Sequence, residues 1–379
     1  FSMQDDFETE TMEISMGPQH PSTHGVLRLI VKTDGEIVDW AEPDVGYLHR
    51  STEKIAESIS YHSFVPFLDR VDYLAPFNCQ QAWCVAVEKL AGIEVPKRAE
   101  YIRVVLVELN RIASHLLFIG ALSHDLGVVS PFLYAIKDRE LILDLFEKVS
   151  GYRMNNHYFR IGGVMRDIPP SFKDKTLDFC DYLEKKIDEY HKLLTNNPIF
   201  RNRLIDVGVI PLDMAIQWGL SGPNIRASGL KWDIRKNDPY SVYPELEFEV
   251  PNGLEYCKRY GAVLGDSYTR YIIRMAEICE SIKIIRQAFS KMPQGEFLAK
   301  VPLTFKPPVG EIFFRAENPR GEMGIYIMSD GTSKPYRVRI RTASFSNLSI
   351  FKTLSRGHFI ADLVVIIGSL DIVLPEVDR

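Results

Sequence analysis

A chain of 379 residues with 46% apolar content can fill one large core or two ordinary ones. Its formal net charge of −5 offers no basic surface to neutralise phosphates, so protein or small-molecule partners are expected and nucleic acid is not. Five cysteines, none in a C-x-x-C pair, argue against a disulfide framework or a cysteine-held cluster within this chain. Apolar runs such as 104–107 and 364–367 fall far short of the roughly 20 residues a bilayer crossing needs. The acidic start at 1–6 lacks the basic and apolar regions of a secretory signal, so a soluble chain in a reducing compartment is expected.

The chain opens in alternation, at 12–16, 26–31 and 36–40, with Asp34-Gly35 as a hairpin signal between the last two; a small sheet is predicted. From about Phe77 the period becomes helical. Ile102, Leu106, Leu109, Ala113 and Leu116 mark one face of a long helix, and a further helix is predicted from the cap Ser130 and Pro131 to Gly151. Helices are also predicted at 172–195 and 267–291, with Gly-, Pro- and Asn-rich irregular structure at 198–250 between them. Strands return at 311–316, 323–328 and 335–341, and two short helical segments close the chain. The pattern implies one integrated α+β unit: a β-rich region over 1–76, a helical core over 77–300, and strands with short helices over 301–379.

Three constellations carry chemistry. His20 and His24 stand in a predicted loop, where an imidazole can move protons near neutral pH or merely bond its own turn. Asp69-Arg70-Val71-Asp72-Tyr73 precedes an apolar helix, so its phenol can serve as a neutral donor to a carbonyl and its acids can equally answer a helix N-terminus. Ser123-His124-Asp125 ends the long helix, where the carboxylate either orients an imidazole or caps the chain. Cys79 and Cys84, five apart, are expected to pack in the core. Arg337, Arg339 and Arg341 alternate along one strand face, solvated or meeting an anionic partner. No phosphate-loop pattern surrounds Gly162-Gly163 or Gly229.

The segments GPQHPSTHGVLRL, DVGYLHR, DRVDYL, RIGGV, WGLSGPNIRASGLKWDIRK, SDGTSKPYRVRIR and GSLDIVLPEVDR together resemble the 49 kDa-type (D-type) subunits of respiratory complex I, NADH:quinone oxidoreductase. That family is similar to the large subunit of nickel–iron hydrogenases, so the resemblance implies a hydrogenase large-subunit-like α+β fold: a central helical bundle with small N-terminal and C-terminal sheets. Hydrogenases carry R-x-C-G-x-C and D-P-C-x-x-C-x-x-H. Aligned on Arg70 and Asp371, this chain has Asp72, Ala75, Val373 and Glu376 at the four thiolate positions. Without soft donors a nickel–iron centre cannot be held, and the vacated cavity is expected to be free for an organic substrate.

By the same resemblance, His24 and Tyr73 would hydrogen-bond a quinone headgroup, Asp125 would pair with His24, and Arg50 and Arg70 would lie near an iron–sulfur cluster held by a B-type neighbouring subunit. Subunits of the C, I and H types would be further partners. The chain itself would bind no metal and no cofactor, and would sit peripherally, through the complex, on the cytoplasmic side of the membrane. The resemblance implies a proton-pumping quinone oxidoreductase fed by NAD(P)H, ferredoxin or a deazaflavin; a non-catalytic scaffold or coupling subunit is the alternative. One departure is Asn155, where many members carry a histidine after Arg153-Met154, and it implies a cluster potential only weakly dependent on pH. A second is the short link from Pro293 to Pro308.

Overall fold

The computed structural model describes residues 11–18, 25–302 and 304–379. Strands β1 (Thr11–Met16), β2 (Arg28–Asp34) and β3 (Ile37–Asp44) form an antiparallel sheet in that order. Leu29, Val31 and Thr33 alternate onto its buried face. The pairing slips between Lys32 and Thr33, which is why Val38 and Ala41, three residues apart, share that face.

Two short helices follow, α1 (Thr52–Ser58) and α2 (Tyr61–Leu68), and then the long elements α3 (Pro76–Ala91), α4 (Lys97–Asp125) and α5 (Val129–Ser150). After a two-residue hairpin, β4 (Phe159–Arg160) with β5 (Gly163–Val164), α6 (Pro170–Tyr190) runs into a π turn at His191–Thr195. The stretch expected to be irregular holds short helices, α7 (Pro198–Leu204), α8 (Leu212–Gln217), α9 (Pro223–Ala227) and α10 (Ile234–Asn237), before α11 (Gly253–Tyr260) and α12 (Ser267–Lys291). A second antiparallel sheet, β6 (Gly310–Asn318), β7 (Gly321–Ser329) and β8 (Arg337–Arg341), precedes α13 (Ala343–Ser349), α14 (Phe351–Leu354), α15 (Ile360–Leu370) and α16 (Leu374–Val377).

The long elements follow their sequence signals. Asp266 caps α12, its Oδ1 accepting from Thr269 N at 2.6 Å, and Gly151 ends α5 in the left-handed region at φ 88°. Three expectations need correction. Helix α5 starts before Ser130, because the Gly127 and Val128 amides bond back to His124 and Ser123 at 2.9 Å and hand the chain directly into the next helix. The segment 198–250 is not irregular throughout: its helices start at Pro or at the caps Asn197 and Asp233, and each is too short to show a period. Four short helices close the chain instead of two.

Helix α4 is long and apolar enough by length and composition to cross a membrane, but 89% of its most apolar stretch is buried inside the protein, as a core helix. Helices α3, α5 and α12 pack around it, the second sheet packs on α3, and Met323, Ile325 and Ile327 of β7 join the same core. A second core joins the first sheet to the end of the chain, with Leu29, Val31 and Val38 meeting Phe351, Leu363, Ile366 and Leu374. Cys79 and Cys84 are fully buried, and Cys79, Cys84, Cys180, Cys257 and Cys279 are free thiols. The arginines of β8 meet α1: Arg337 pairs with Glu57 and Arg339 with Glu53, each at 3.0 Å.

Charge runs through the main core. Arg226 on α9 donates to Glu277 of α12 at 2.7 Å and to Glu317 of β6 at 2.8 Å; His115 of α4 bonds Glu277 at 2.9 Å; Arg235 joins Asp233 to Glu108. All of these groups are buried. Removing one partner from such a set leaves an uncompensated buried charge. Arg226→Met is therefore expected to destabilise by about 3–5 kcal/mol, read as a lower thermal unfolding midpoint and a lower yield of folded protein.

Candidate functional site

The turn between α2 and α3 is held from both ends. Asp69 is fully buried; its Oδ1 accepts from Gln80 Nε2 at 2.5 Å and its Oδ2 from the His157 amide at 2.9 Å. Asp72, also fully buried, accepts from the Leu74 and Ala75 amides at 3.1 and 3.2 Å, an Asx turn that fixes the backbone on either side of Tyr73. Tyr73 itself remains 42% exposed. Partial burial pushes its phenol above the ordinary tyrosine range, with the Arg320 guanidinium pulling the other way, so the group stays a neutral donor.

Asp72, Ala75, Val373 and Glu376, at the four positions where hydrogenases place thiolates, are all buried. Arg320, fully buried in the β6–β7 hairpin, pairs with this cluster: its Nη1 meets Asp72 Oδ2 at 2.6 Å and its Nε approaches Asp371 at 3.7 Å. Arg274 of α12 holds the other Asp371 oxygen at 3.6 Å. The Ser344 hydroxyl donates to Glu376, and the Thr342 hydroxyl donates to the Glu376 carbonyl at 2.7 Å. A nickel–iron centre does not fit here, because the soft donors are gone.

The hairpin that delivers Arg320 is tight. A Cβ on Gly321, at φ 133°, would come within 2.4 Å of Ser221 Oγ, so only glycine permits this approach to α9. The two strands were expected from the sequence at 311–316 and 323–328, yet nothing local marked Arg320 as the group that crosses to Asp72.

A cavity of about 350 Å³ opens beside this cluster, lined by Leu48, Arg50, Ile55, Phe67, Arg70 and Pro375 among others. Arg50 and Arg70 thus share one wall. Arg70 donates to the Pro66 carbonyl at 2.5 Å, and neither arginine has an ion-pair partner among the described residues. Pro375 places the cavity one residue from Glu376. Asp125 is half-buried at the last turn of α4, next to His124, whose ring lies 5.3 Å from that of Phe132. His20 and His24 lie outside the described residues. At the Arg153 segment, Asn155 adopts φ 54°, and the imidazole two residues on, His157, sits 3.6 Å from Asp69.

The fold and these positions define a redox-enzyme subunit of the hydrogenase large-subunit class whose metal ligands have been replaced. A family model described as respiratory-chain NADH dehydrogenase, 49 kDa subunit, matches residues 125–379, and the chain belongs to that family. It is 52% identical over 382 residues to the D-type subunit of NADH-quinone oxidoreductase from Chlorobaculum tepidum, covering 100% of this chain and 94% of that protein. It is 52% identical over 381 residues to the D-type subunit from Chlorobium phaeovibrioides, with the same coverage. The first of the numbered D-type subunits from Anaeromyxobacter sp. is 49% identical over 374 residues, covering 99% of this chain and 98% of that protein.

Burial, reinforced by the charge of Asp72, pushes the Glu376 carboxyl up to about 7, with Arg320 opposing. A carboxyl whose folded value lies above its unfolded value binds more protons when folded, so its contribution falls as pH rises from about 4.5 to about 7 and then levels off. Glu376→Gln is expected to remove this decline, on the order of 2–3 kcal/mol between pH 5 and pH 8. Unfolding midpoints of the wild type and the variant at the two pH values measure it.

Proposed function

We propose that this chain forms the quinone headgroup site of an NADH:quinone oxidoreductase of the complex I type, active only within the complex. The observation that carries the reading is Tyr73, presented to solvent on a turn locked by two fully buried aspartates, three residues from the arginine-lined cavity. Two-electron reduction of a quinone builds negative charge on its carbonyl oxygens, and a donor already aimed there stabilises that charge without reorganising. Tyr73 supplies a neutral O–H for one oxygen. His24 supplies the second donor, and Asp125, at the end of α4, steadies the His24 tautomer and answers the charge of its protonated form.

Electrons reach the headgroup from an iron–sulfur cluster in a B-type neighbouring subunit. Arg50 and Arg70 support this placement: two guanidinium groups lining one cavity, neither in an ion pair among the described residues, suit a surface that meets a centre growing more negative on reduction. Subunits of the C, I and H types are further partners, this chain lies in the peripheral arm on the cytoplasmic side of the membrane, and NADH, ferredoxin or a deazaflavin is the ultimate donor. In the competing reading, a scaffold or coupling subunit, Tyr73 carries no chemistry.

Tyr73→Phe separates the two. In the assembled complex it is expected to lower quinone reductase activity about tenfold or more while the subunits stay together; wild-type activity would favour the scaffold. Asn155 cannot titrate, so the potential of the neighbouring cluster is expected to vary little with pH in redox titrations. A slope near one proton per electron would reject this and direct attention to His157.

A further inference from the structure

Buried arginines in this chain are consistently matched to oxygen. Arg103 holds Glu88, Arg226 holds Glu277, Arg320 holds Asp72, and Arg270, which lacks a carboxylate, donates to the Gly208 and Gly265 carbonyls and to Ser369. Arg139 on α5 breaks the pattern. It is only 8% exposed, makes no hydrogen bond or ion pair with any described residue, and leaves its Nε buried without a partner. Its neighbours are spoken for: Asp138 accepts from the Tyr182 and Tyr190 phenols at 2.8 Å each, and Glu140 pairs with Arg153. A guanidinium stays charged under any physiological condition, so the helix carries a buried, uncompensated cation.

Its position says what it faces. Phe146 lies seven residues on, two turns along the same face of α5, and packs edge-on against Phe77 in the first turn of α3 with ring centroids 4.9 Å apart. That face therefore looks toward the turn carrying Tyr73, four residues before Phe77. The groups within electrostatic reach of Arg139 are Glu140, Arg153 and the Tyr73 phenol; those acting on Tyr73 are Arg320, Asp72, Asp371 and Arg139. Asp72 and Asp371 are already balanced by Arg320 and Arg274. Arg139 is the positive charge acting on the phenol that forms no ion pair with a carboxylate among the described residues.

We propose that Arg139 is the charge-compensating residue behind Tyr73: a cation without an ion-pair partner among the described residues, whose field stabilises negative charge developing on the quinone oxygen to which the phenol donates. The inference rests on the reading of Tyr73 as a headgroup donor. Arg139 acts through Tyr73 and is a positioning residue, and no bond is made or broken at it. The free cation is held at a cost to stability, which distinguishes it from a structural arginine: neutralising it makes the protein more stable and less active.

The test uses the whole complex, with Arg139→Met, Arg139→Lys and Tyr73→Phe compared against wild type, and a short-chain benzoquinone and a short-chain naphthoquinone as acceptors. R139M is expected to lower kcat about tenfold with KM within about twofold, because the charge matters only as reduction proceeds. Reduction of an artificial hydrophilic acceptor upstream should be unchanged, and the unfolding temperature should rise. R139K should recover kcat to within about threefold of wild type. Unchanged kcat in R139M, or a lower unfolding temperature with R139M and R139K equally impaired, overturns the inference. If Y73F keeps wild-type activity, the reading of Tyr73 fails; if Y73F is impaired and R139M is not, only the role of Arg139 fails.

Discussion

The pairing of Asp72 with Arg320, 2.6 Å apart and wholly buried, is the constraint on which the site depends. Through it the turn after α2, the β6–β7 hairpin and the loop before α16 meet at one point, although 248 residues separate the two partners in the chain. A metal with four thiolates can cross-link distant segments in this way; here an ion pair does so with Asp371 and Glu376 alongside. The exchange alters the chemistry available. Where a soft, redox-active centre would need thiolates, this chain has a buried polar cluster, with the Tyr73 turn and the arginine-lined cavity beside it.

How legible this was in the sequence depends on the range of the signal. Helices α4 and α12 and the strands of both sheets announce themselves because each buries one face along its own length, and a repeat of 3.6 or 2 residues is local. The hydroxyl-poor junction at Gly127-Val128 misled because backbone bonds to α4, and no capping side chain, start α5. Residues 198–250 looked structureless because helices of four to seven residues complete too few turns to repeat. Tyr73, Asp125, Arg50 and Arg70 stand out as motif residues, and the structure brings Arg50 and Arg70 to one cavity. Arg320 and Arg139 carry no such mark, since what matters about them is a partner far along the chain in one case and the lack of any among the described residues in the other.

The two arginines also show how the same side chain serves opposite ends. In the network of Arg226, Arg235, Glu108 and Glu277, each buried charge is answered by several oxygens or donors, and the set ties α4, α9, α10 and α12 into one geometry. Such a network has little freedom to respond to anything new. Arg139 is the reverse: buried and with no ion pair among the described residues, it adds no such tie between elements.

The meeting of α1 with β8 has an effect beyond attraction between opposite charges. Glu53 and Glu57 accept not only from arginine side chains but also from the outward amides of Ile340 and Val338, at 2.8 and 3.4 Å. Strand β8 is the last in its sheet, and those amides would otherwise stand open along a free border. Two carboxylates from a seven-residue helix hem that border, so this edge of the sheet is a poor template on which a neighbouring molecule could lay a further strand.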